Sequence, residues 1–290
     1  MKFREKIAQG KFVVTSEIGP VKGTLVEEHL HDAELLRNKV DGINVTDLQS
    51  SVMRFGSLAM CRLLKEKGHE PILQLTCRDR NRLALQSDLL SAWGLGIENV
   101  LLLTGDHPKL GDHPQARSVF DVDSVQLLGI ASALNNGKDM NGNALAGKPD
   151  FFLGAVVNPG ADPLEPEVIK LEKKFQAGAR FIQTQAVYDV KLFENFMNKV
   201  KHTNIPVMAG IVLLKSAGMA KYMNKNVSGV HVPDDLIKEM EQSQDKRAKS
   251  VEIASRLIKE LKPMCSGTHI MPIGWDKLVP SVIDAAGLQR

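Results

Sequence analysis

The chain has 290 residues, of which 43% are apolar and 24% charged, and its formal net charge is +3. Such a small charge, with no basic run interleaved with aromatic residues, argues against a nucleic-acid-binding protein. The N-terminal MKFREKIAQGKF lacks the apolar core of a signal peptide, and no run approaches the roughly 20 apolar residues of a membrane span. We therefore expect a cytoplasmic protein without a membrane span.

Eight short apolar runs recur along the chain, each with a helical pattern after it. Most are nearly continuous rather than alternating, which is typical of strands buried on both faces of a parallel sheet. The predicted strands are residues 12–18, 42–46, 71–76, 99–105, 151–158, 181–187, 205–211 and 268–273. This order predicts an α/β protein, a single (β/α)8 TIM-type barrel, with one domain over residues 1–290.

Amphipathic segments between these runs predict the helices. They cover residues 24–38, 57–67, 80–93, 123–135, 165–176 and 190–200. Residues 225–262 predict extra helices before the last strand, with Pro233 in a first helical turn. Two stretches rich in Gly, Pro, Asn and Asp interrupt the alternation. We expect 105–121 to be a loop at the functional face and 136–149 to lie at the opposite face.

Three polar residues fall at or just past the ends of predicted strands: Glu17, Asp106 and Gln185. In a closed parallel barrel the carboxyl ends of all strands meet at one mouth, so distant residues can share a pocket. Partial desolvation of Glu17 there would favour its protonated form, which suits a general acid. Glu17 capping a loop, Asp106 in an Asx turn and Gln185 tying buried strands together remain open alternatives.

Other possible sites are weaker. The string Gly94-Leu95-Gly96 precedes a strand instead of following one, which argues against a dinucleotide-binding turn. His29 and His31 diverge on a helix, and the repeated GDHP favours turn chemistry over a metal, so we predict no metal site. The cysteines Cys61, Cys77 and Cys265 form no CxxC pair. We expect Cys77 to be a buried bystander.

Taken in order, TSEIGP, ILQLTCRD, LLLTGDHP, AGARFIQTQAVYDV and AGIVLL resemble the methylenetetrahydrofolate reductase family in its short prokaryotic form. The resemblance spans nearly the whole chain. It implies a flavin-containing (β/α)8 barrel that reduces 5,10-methylenetetrahydrofolate to 5-methyltetrahydrofolate. The flavin would be FAD by family habit, with FMN possible, and the electron donor would be NAD(P)H or a partner protein.

The resemblance also assigns roles by position. Glu17 falls on the catalytic acid, and Asp106 on an aspartate near both flavin and pterin. Substrate contacts are implied for Glu17, Asp106, Gln185 and Ile273. Cofactor contacts are implied for Thr46, Gln74, Thr76, Thr104, Gly105, Asp106, Asn158, Glu167, Lys170 and Lys174. Hydride would pass from flavin N5 to the methylene carbon.

Four positions depart from the family pattern. Gln74 replaces a His, Thr104 an Arg, Asn158 a Tyr, and Ala217 an aromatic that stacks on folate or nicotinamide. Losing the Arg leaves FMN open, and losing the aromatic argues against direct oxidation of NADH. The resemblance therefore also implies an iron–sulfur or zinc partner subunit, and a homo- or hetero-oligomer.

Three other functions stay open from the sequence. One is a folate-binding carrier without redox activity, such as a methyl-transfer scaffold. A second is a structural subunit of a larger redox complex. The third is an aldolase-type barrel, for which Lys215 would be the nearest Schiff-base lysine.

Overall fold

The computed structural model describes residues 1–288, and within them eight parallel strands pair in chain order and close into one barrel. The strands are β1 Val13–Ile18, β2 Gly42–Val45, β3 Pro71–Thr76, β4 Asn99–Leu103, β5 Phe152–Val157, β6 Phe181–Ala186, β7 Val207–Val212 and β8 Gly267–Met271. Pairing of β1 with β8 completes the closure. The predicted barrel is confirmed, and no predicted strand end is off by more than two residues.

Helices cover the outside of the barrel. They are α1 Phe3–Ala8, α2 Glu27–Leu35, α3 Ser57–Glu66, α4 Arg82–Gly94, α5 Ser124–Asn135, α6 Glu165–Gln176, α7 Val190–Val200, α8 Ala217–Asn226, α9 Asp234–Gln242, α10 Lys246–Leu261 and α11 Val279–Ala285. The predicted extra helices before β8 are present. Pro233 was predicted inside a first turn, but it is the extended residue before α9 (ψ 146°).

The barrel wall separates two apolar clusters, because successive strand residues point to opposite faces. The outer cluster joins the strands to the helices. The inner one fills the amino-terminal end of the barrel and consists of Phe3, Ile7, Val13, Ile72, Leu101, Phe181 and Met208. Helix α1 closes this end, with Phe3 edge-on to Phe181 at 5.2 Å between ring centroids. The sequence pattern predicts no element here because α1 is only six residues long and half charged.

The cysteines are free thiols within the described residues. Cys77 is fully buried in the outer cluster, and burial raises its pKa to about 12. Cys77 is thus buried, as expected, and it is not among the residues that line the cavity at the carboxyl ends of the strands. Separately, every helix in the described part of the chain is too short or too polar to span a lipid bilayer.

Candidate active site

A cavity of about 400 Å³ lies at the carboxyl ends of the strands. Glu17 reaches it from β1, Asp106 from the loop after β4, and Gln185 from β6. The three side chains predicted to meet therefore line one cavity. Every other residue for which the resemblance implies a cofactor contact also lines it.

The period of two along each strand explains why Glu17 and Gln185 point inward. Glu17 shares its face with Val13, whose side chain belongs to the inner cluster, and Gln185 shares its face with Phe181. The amino-terminal layer of the barrel interior is thus apolar and the carboxyl-terminal layer polar. A polar layer at that end is where barrels of this type bind ligands.

Glu17 is the penultimate residue of β1 and only 6% exposed. Its Oε1 accepts a hydrogen bond from Gln49 Nε2 at 3.3 Å, and its Oε2 lies 3.7 Å from His269 Nε2. The carboxyl group is therefore poorly hydrated and weakly bonded. It is therefore available to a ligand in the cavity.

Asp106 is exposed, and its loop is held through the backbone rather than the carboxylate. Its carbonyl oxygen accepts hydrogen bonds from Ser51 Oγ (2.9 Å) and Arg78 Nη1 (3.4 Å). The preceding Gly105 has a left-handed backbone (φ +89°), and a Cβ there would lie 3.1 Å from Thr76 Cβ. Glycine lets the loop cross β3 closely enough to bring Asp106 to the cavity.

Gln185 differs from the expectation of a buried strand residue, because its side chain is exposed in the cavity. The β6–β7 register shifts between Gln183 and Ala186. At this irregularity Thr184 Oγ1 donates to the Gln185 carbonyl and accepts from Gly210 N at 2.9 Å. Bulges commonly re-aim a side chain next to an active site, and this one leaves the Gln185 amide available to a ligand.

Side chains with hydroxyl and amide groups line the middle of the cavity. The Thr46 hydroxyl is buried and has no hydrogen-bond partner within residues 1–288. Gln74 is 8% exposed and lies two residues before Thr76, on the same inward face of β3. The Thr76 hydroxyl donates to Asp47 Oδ2 at 2.9 Å. Asp47, for which the sequence pattern gives no sign of a role, follows the end of β2 and orients Thr76.

Helix α6 brings two lysines to the other end of the cavity. Lys174 is 6% exposed, and its Nζ donates to the Val156 carbonyl at 2.5 Å. Burial, together with the nearby charge of Lys170, lowers the Lys174 pKa to about 8. Glu167 lies 3.8 Å from Lys170 and accepts a hydrogen bond from Asn158 N. An anionic group between the lysines would offset their mutual repulsion.

The amide of Asn158 is already bonded within the protein. Its Nδ2 donates to the Ser228 carbonyl at 2.8 Å, and its Oδ1 accepts from Gly160 N. Asn158 lines the cavity while tying the loop after β5 to the segment after α8. Thr104, by contrast, is exposed at the rim.

Arg78 is a further lining residue that sequence reasoning missed. It is 2% exposed and donates to Ser51 Oγ (2.9 Å) and the Leu48 carbonyl (3.2 Å). These contacts hold a segment in which Leu48, Ser50 and Ser51 all have left-handed backbones (φ 49–58°). Strain of this kind persists where the surroundings over-determine it, often at functional sites.

Ile273 lies outside the central cavity. It lines an adjacent cavity, also of about 400 Å³, which shares Glu17 and Gln49 with the central one. Burial raises the pKa of Asp276 in this second cavity, and the charges of Asp32 and Glu17 add to the effect.

Several other candidates have structural explanations. His107 Nδ1 accepts from Lys109 N in a tight turn, and His113 bonds Asp112 at 2.8 Å. No group of three or more His, Cys, Asp or Glu residues in the described chain is arranged to hold a metal ion. Lys215 is not among the residues lining the central cavity, and its Nζ lies 5.6 Å from the Trp275 ring centroid.

Two curated proteins are similar to this chain in sequence. Methylenetetrahydrofolate reductase 2 of Schizosaccharomyces pombe is 26% identical over 98% of this chain and 47% of its own length. The 5,10-methylenetetrahydrofolate reductase of Pectobacterium carotovorum is 28% identical over 69% of this chain and 62% of its own. The chain thus spans about half to three-fifths of these relatives.

A solved structure shares the fold across its full length. It is an uncharacterized protein from Clostridium thermocellum that binds two copies of 5-methyl-5,6,7,8-tetrahydrofolic acid. Its TM-score is 0.66 at 17% identity, covering 99% of this chain and 98% of that one. The methylenetetrahydrofolate reductase family model matches residues 2–287. The chain therefore belongs to the methylenetetrahydrofolate reductase family.

Proposed function

We propose that this chain reduces 5,10-methylenetetrahydrofolate to 5-methyltetrahydrofolate with a bound flavin. The observation that carries the proposal is the convergence of Glu17, Asp106 and Gln185 on one cavity. Family membership supports it, and so does the binding of 5-methyltetrahydrofolic acid by the Clostridium neighbour of similar fold.

The residues of the cavity fit a flavin. A ring rich in carbonyl and N–H groups needs polar partners, and the unpartnered Thr46 hydroxyl and the Gln74 amide supply them. A phosphate needs cations, and Lys170 and Lys174 lie together at one end. When bound, a flavin would supply the hydride that reduces the methylene carbon.

The chain's own residues would then handle protons and charge. Glu17 would give its proton to the substrate nitrogen that separates from the methylene carbon, so that the bridge opens to a cationic iminium. Asp106, whose carboxylate has no partner among residues 1–288, would stabilise that cation across the cavity. Gln185 would donate and accept hydrogen bonds at the pterin edge and so orient it.

The identity of the flavin and the source of electrons are separate proposals. Thr104 offers no charge to a diphosphate, so FMN fits as well as FAD. Ala217, at the start of α8, offers only a methyl group for stacking on a nicotinamide. We therefore propose that electrons arrive from a partner protein of the iron–sulfur class. Rapid bleaching of the isolated flavoprotein by NADH alone would refute this.

The central experiment is direct. Purified protein should absorb near 450 nm, release a flavin identifiable by mass on heating, and oxidise 5-methyltetrahydrofolate when given an artificial electron acceptor. A colourless protein that binds 5-methyltetrahydrofolate without oxidising it would instead identify a folate-binding carrier.

A further inference from the structure

A buried polar network crosses the barrel interior next to Glu17. Its members come from β1, β2, β6 and β8, and all are at most 3% exposed: Thr15, Asn44, Gln183 and His269. Buried polar side chains are stable only where they are hydrogen-bonded. Here every member is bonded to another, and the last of them, His269, faces Glu17.

The hydrogen bonds that lead from Gln183 to His269 run in one direction, while Asn44 Nδ2 donates back to Gln183 Oε1 at 2.7 Å. Gln183 Nε2 donates to Asn44 Oδ1 at 3.2 Å and to Thr15 Oγ1 at 3.3 Å, which uses both hydrogens of its amide. Since Thr15 accepts from Gln183, its own hydroxyl hydrogen is available for His269 Nδ1, 2.9 Å away. A neutral imidazole that accepts at Nδ1 carries its hydrogen on Nε2.

Nε2 is the imidazole nitrogen that lies near the carboxyl group of Glu17. His269 Nε2 lies 3.7 Å from Glu17 Oε2, whereas Gln49 holds the other oxygen at 3.3 Å. Separations of this size between catalytic partners commonly shorten when substrate binds. A carboxylate that is only 6% exposed is costly unless hydrogen bonds replace its lost water.

We propose that His269 is a positioning residue whose Nε2–H, fixed by Thr15 and Gln183, stabilises the carboxylate that Glu17 becomes on giving up its proton. The proposal rests on the proposed function. In this step the proton passes from Glu17 to the substrate nitrogen, and His269 keeps its own hydrogen throughout. The sequence gives no sign of it, because His269 lies inside an apolar run.

Two amide substitutions distinguish the roles of the two imidazole nitrogens of His269. The glutamine amide of His269→Gln reaches the position of Nε2 and retains a donor toward Glu17. The shorter amide of His269→Asn occupies the position of Nδ1 and retains only the contact with Thr15. We expect His269→Asn to lower kcat by about 10- to 100-fold with little change in KM, the effect of losing a hydrogen bond to a charged group. His269→Gln should stay within about 3-fold of the native rate, since it keeps that bond. Equal losses or equal rates in the two variants would overturn the proposal.

The tautomer is tested without any turnover. In the 290-residue chain with ¹⁵N-labelled histidine, NMR should show the His269 hydrogen on Nε2, both in the native chain and in Thr15→Ser, which keeps the hydroxyl. Thr15→Val should alter this signal. An active enzyme with the hydrogen on Nδ1 overturns the role of His269 alone. An inactive chain with the hydrogen on Nε2 overturns the proposed function, and with it that role.

Discussion

At the scale of single residues, the site combines groups bonded within the protein with groups left to a ligand. Asp47 and Arg78 are buried and fully engaged with neighbouring residues. The Thr46 hydroxyl and the exposed amide of Gln185 are available to a ligand. Glu17 lies between these extremes, since it is buried but weakly bonded.

Glu17→Gln removes the transferable proton while keeping the size and the contact with Gln49. We expect turnover to fall by about 10²- to 10⁴-fold, as loss of a general acid allows, with flavin and folate affinity unchanged. Steady-state kinetics and a folate titration measure both. Glu27→Gln makes the same change on the exposed first turn of α2 and should behave as the native chain. Near-native turnover in Glu17→Gln would refute the assignment.

Lys174 predicts a pH dependence of cofactor binding. Its pKa of about 8 means that the ammonium becomes neutral as pH rises through 8, so affinity for a phosphate-bearing flavin should fall there. The stability of the ligand-free chain depends on pH with the opposite sign, because it increases as pH rises. The pKa of Lys174 is lowered on folding from its ordinary 10.5, so its contribution to stability rises from about pH 8 toward 10.5.

Flavin titrations across this range test the dependence. Lys174→Met should weaken binding by about 10-fold or more, the effect of losing a charge-assisted hydrogen bond, and flatten the profile. The neighbouring Lys173 is exposed on the same helix, so Lys173→Met is the matched control. A profile that keeps its shape in Lys174→Met would contradict the prediction.

At the scale of elements, the irregular pairing of β6 and β7 decides what Gln185 can do. Gly210 lies opposite the irregularity, and a Cβ there would come within 2.3 Å of the Thr184 carbonyl. No L-residue fits without moving one of the two strands. Absence of a side chain at Gly210 is therefore coupled to exposure of the amide at Gln185.

Gly210→Ala should lower the free energy of unfolding by about 1–3 kcal/mol or more, as overpacking does, and should weaken folate binding by displacing Gln185. Gly129 provides the contrast, because it is exposed within α5 and a Cβ there would meet nothing within 4 Å. Gly129→Ala should stabilise by up to about 1 kcal/mol. Chemical denaturation measures the free energy of unfolding of both variants. An unchanged value in Gly210→Ala would contradict the prediction, because it would show that β6 and β7 adjust to the added methyl group.

At the scale of the whole molecule, the site exists only when the barrel is closed. β8 pairs with both β1 and β7, so it brings His269 beside Glu17 and completes the wall. Its absence would leave two unpaired strand edges and an open core. That the whole of residues 1–290 acts as one domain stays a prediction.

A chain ending at Leu261, which lacks β8 and α11, tests whether the residues before β8 can fold without it. We expect it to aggregate or remain unfolded, since one edge of β1 and one edge of β7 would lack a hydrogen-bonded neighbour. Size-exclusion chromatography and circular dichroism, compared with the full chain, give the result. A monomeric fragment with the full chain's spectrum and a cooperative melting transition would contradict it.

The sequence by itself determined the barrel and the ends of its strands. Both follow from local patterns: continuous apolar runs, the helical periodicity between them and the turn residues that follow. It also predicted that Glu17, Asp106 and Gln185 share one cavity, since the strand order brings their positions to one mouth.

Only the tertiary structure decided which groups face each other there. Strand register and contacts between distant strands determine three features of the site. They are the approach of His269 to Glu17, the hydrogen bond from Arg78 to the Leu48 carbonyl and the exposure of Gln185. Such contacts leave no periodic trace in the chain, because a buried histidine inside an apolar run has the same local sequence whether or not it faces an acid.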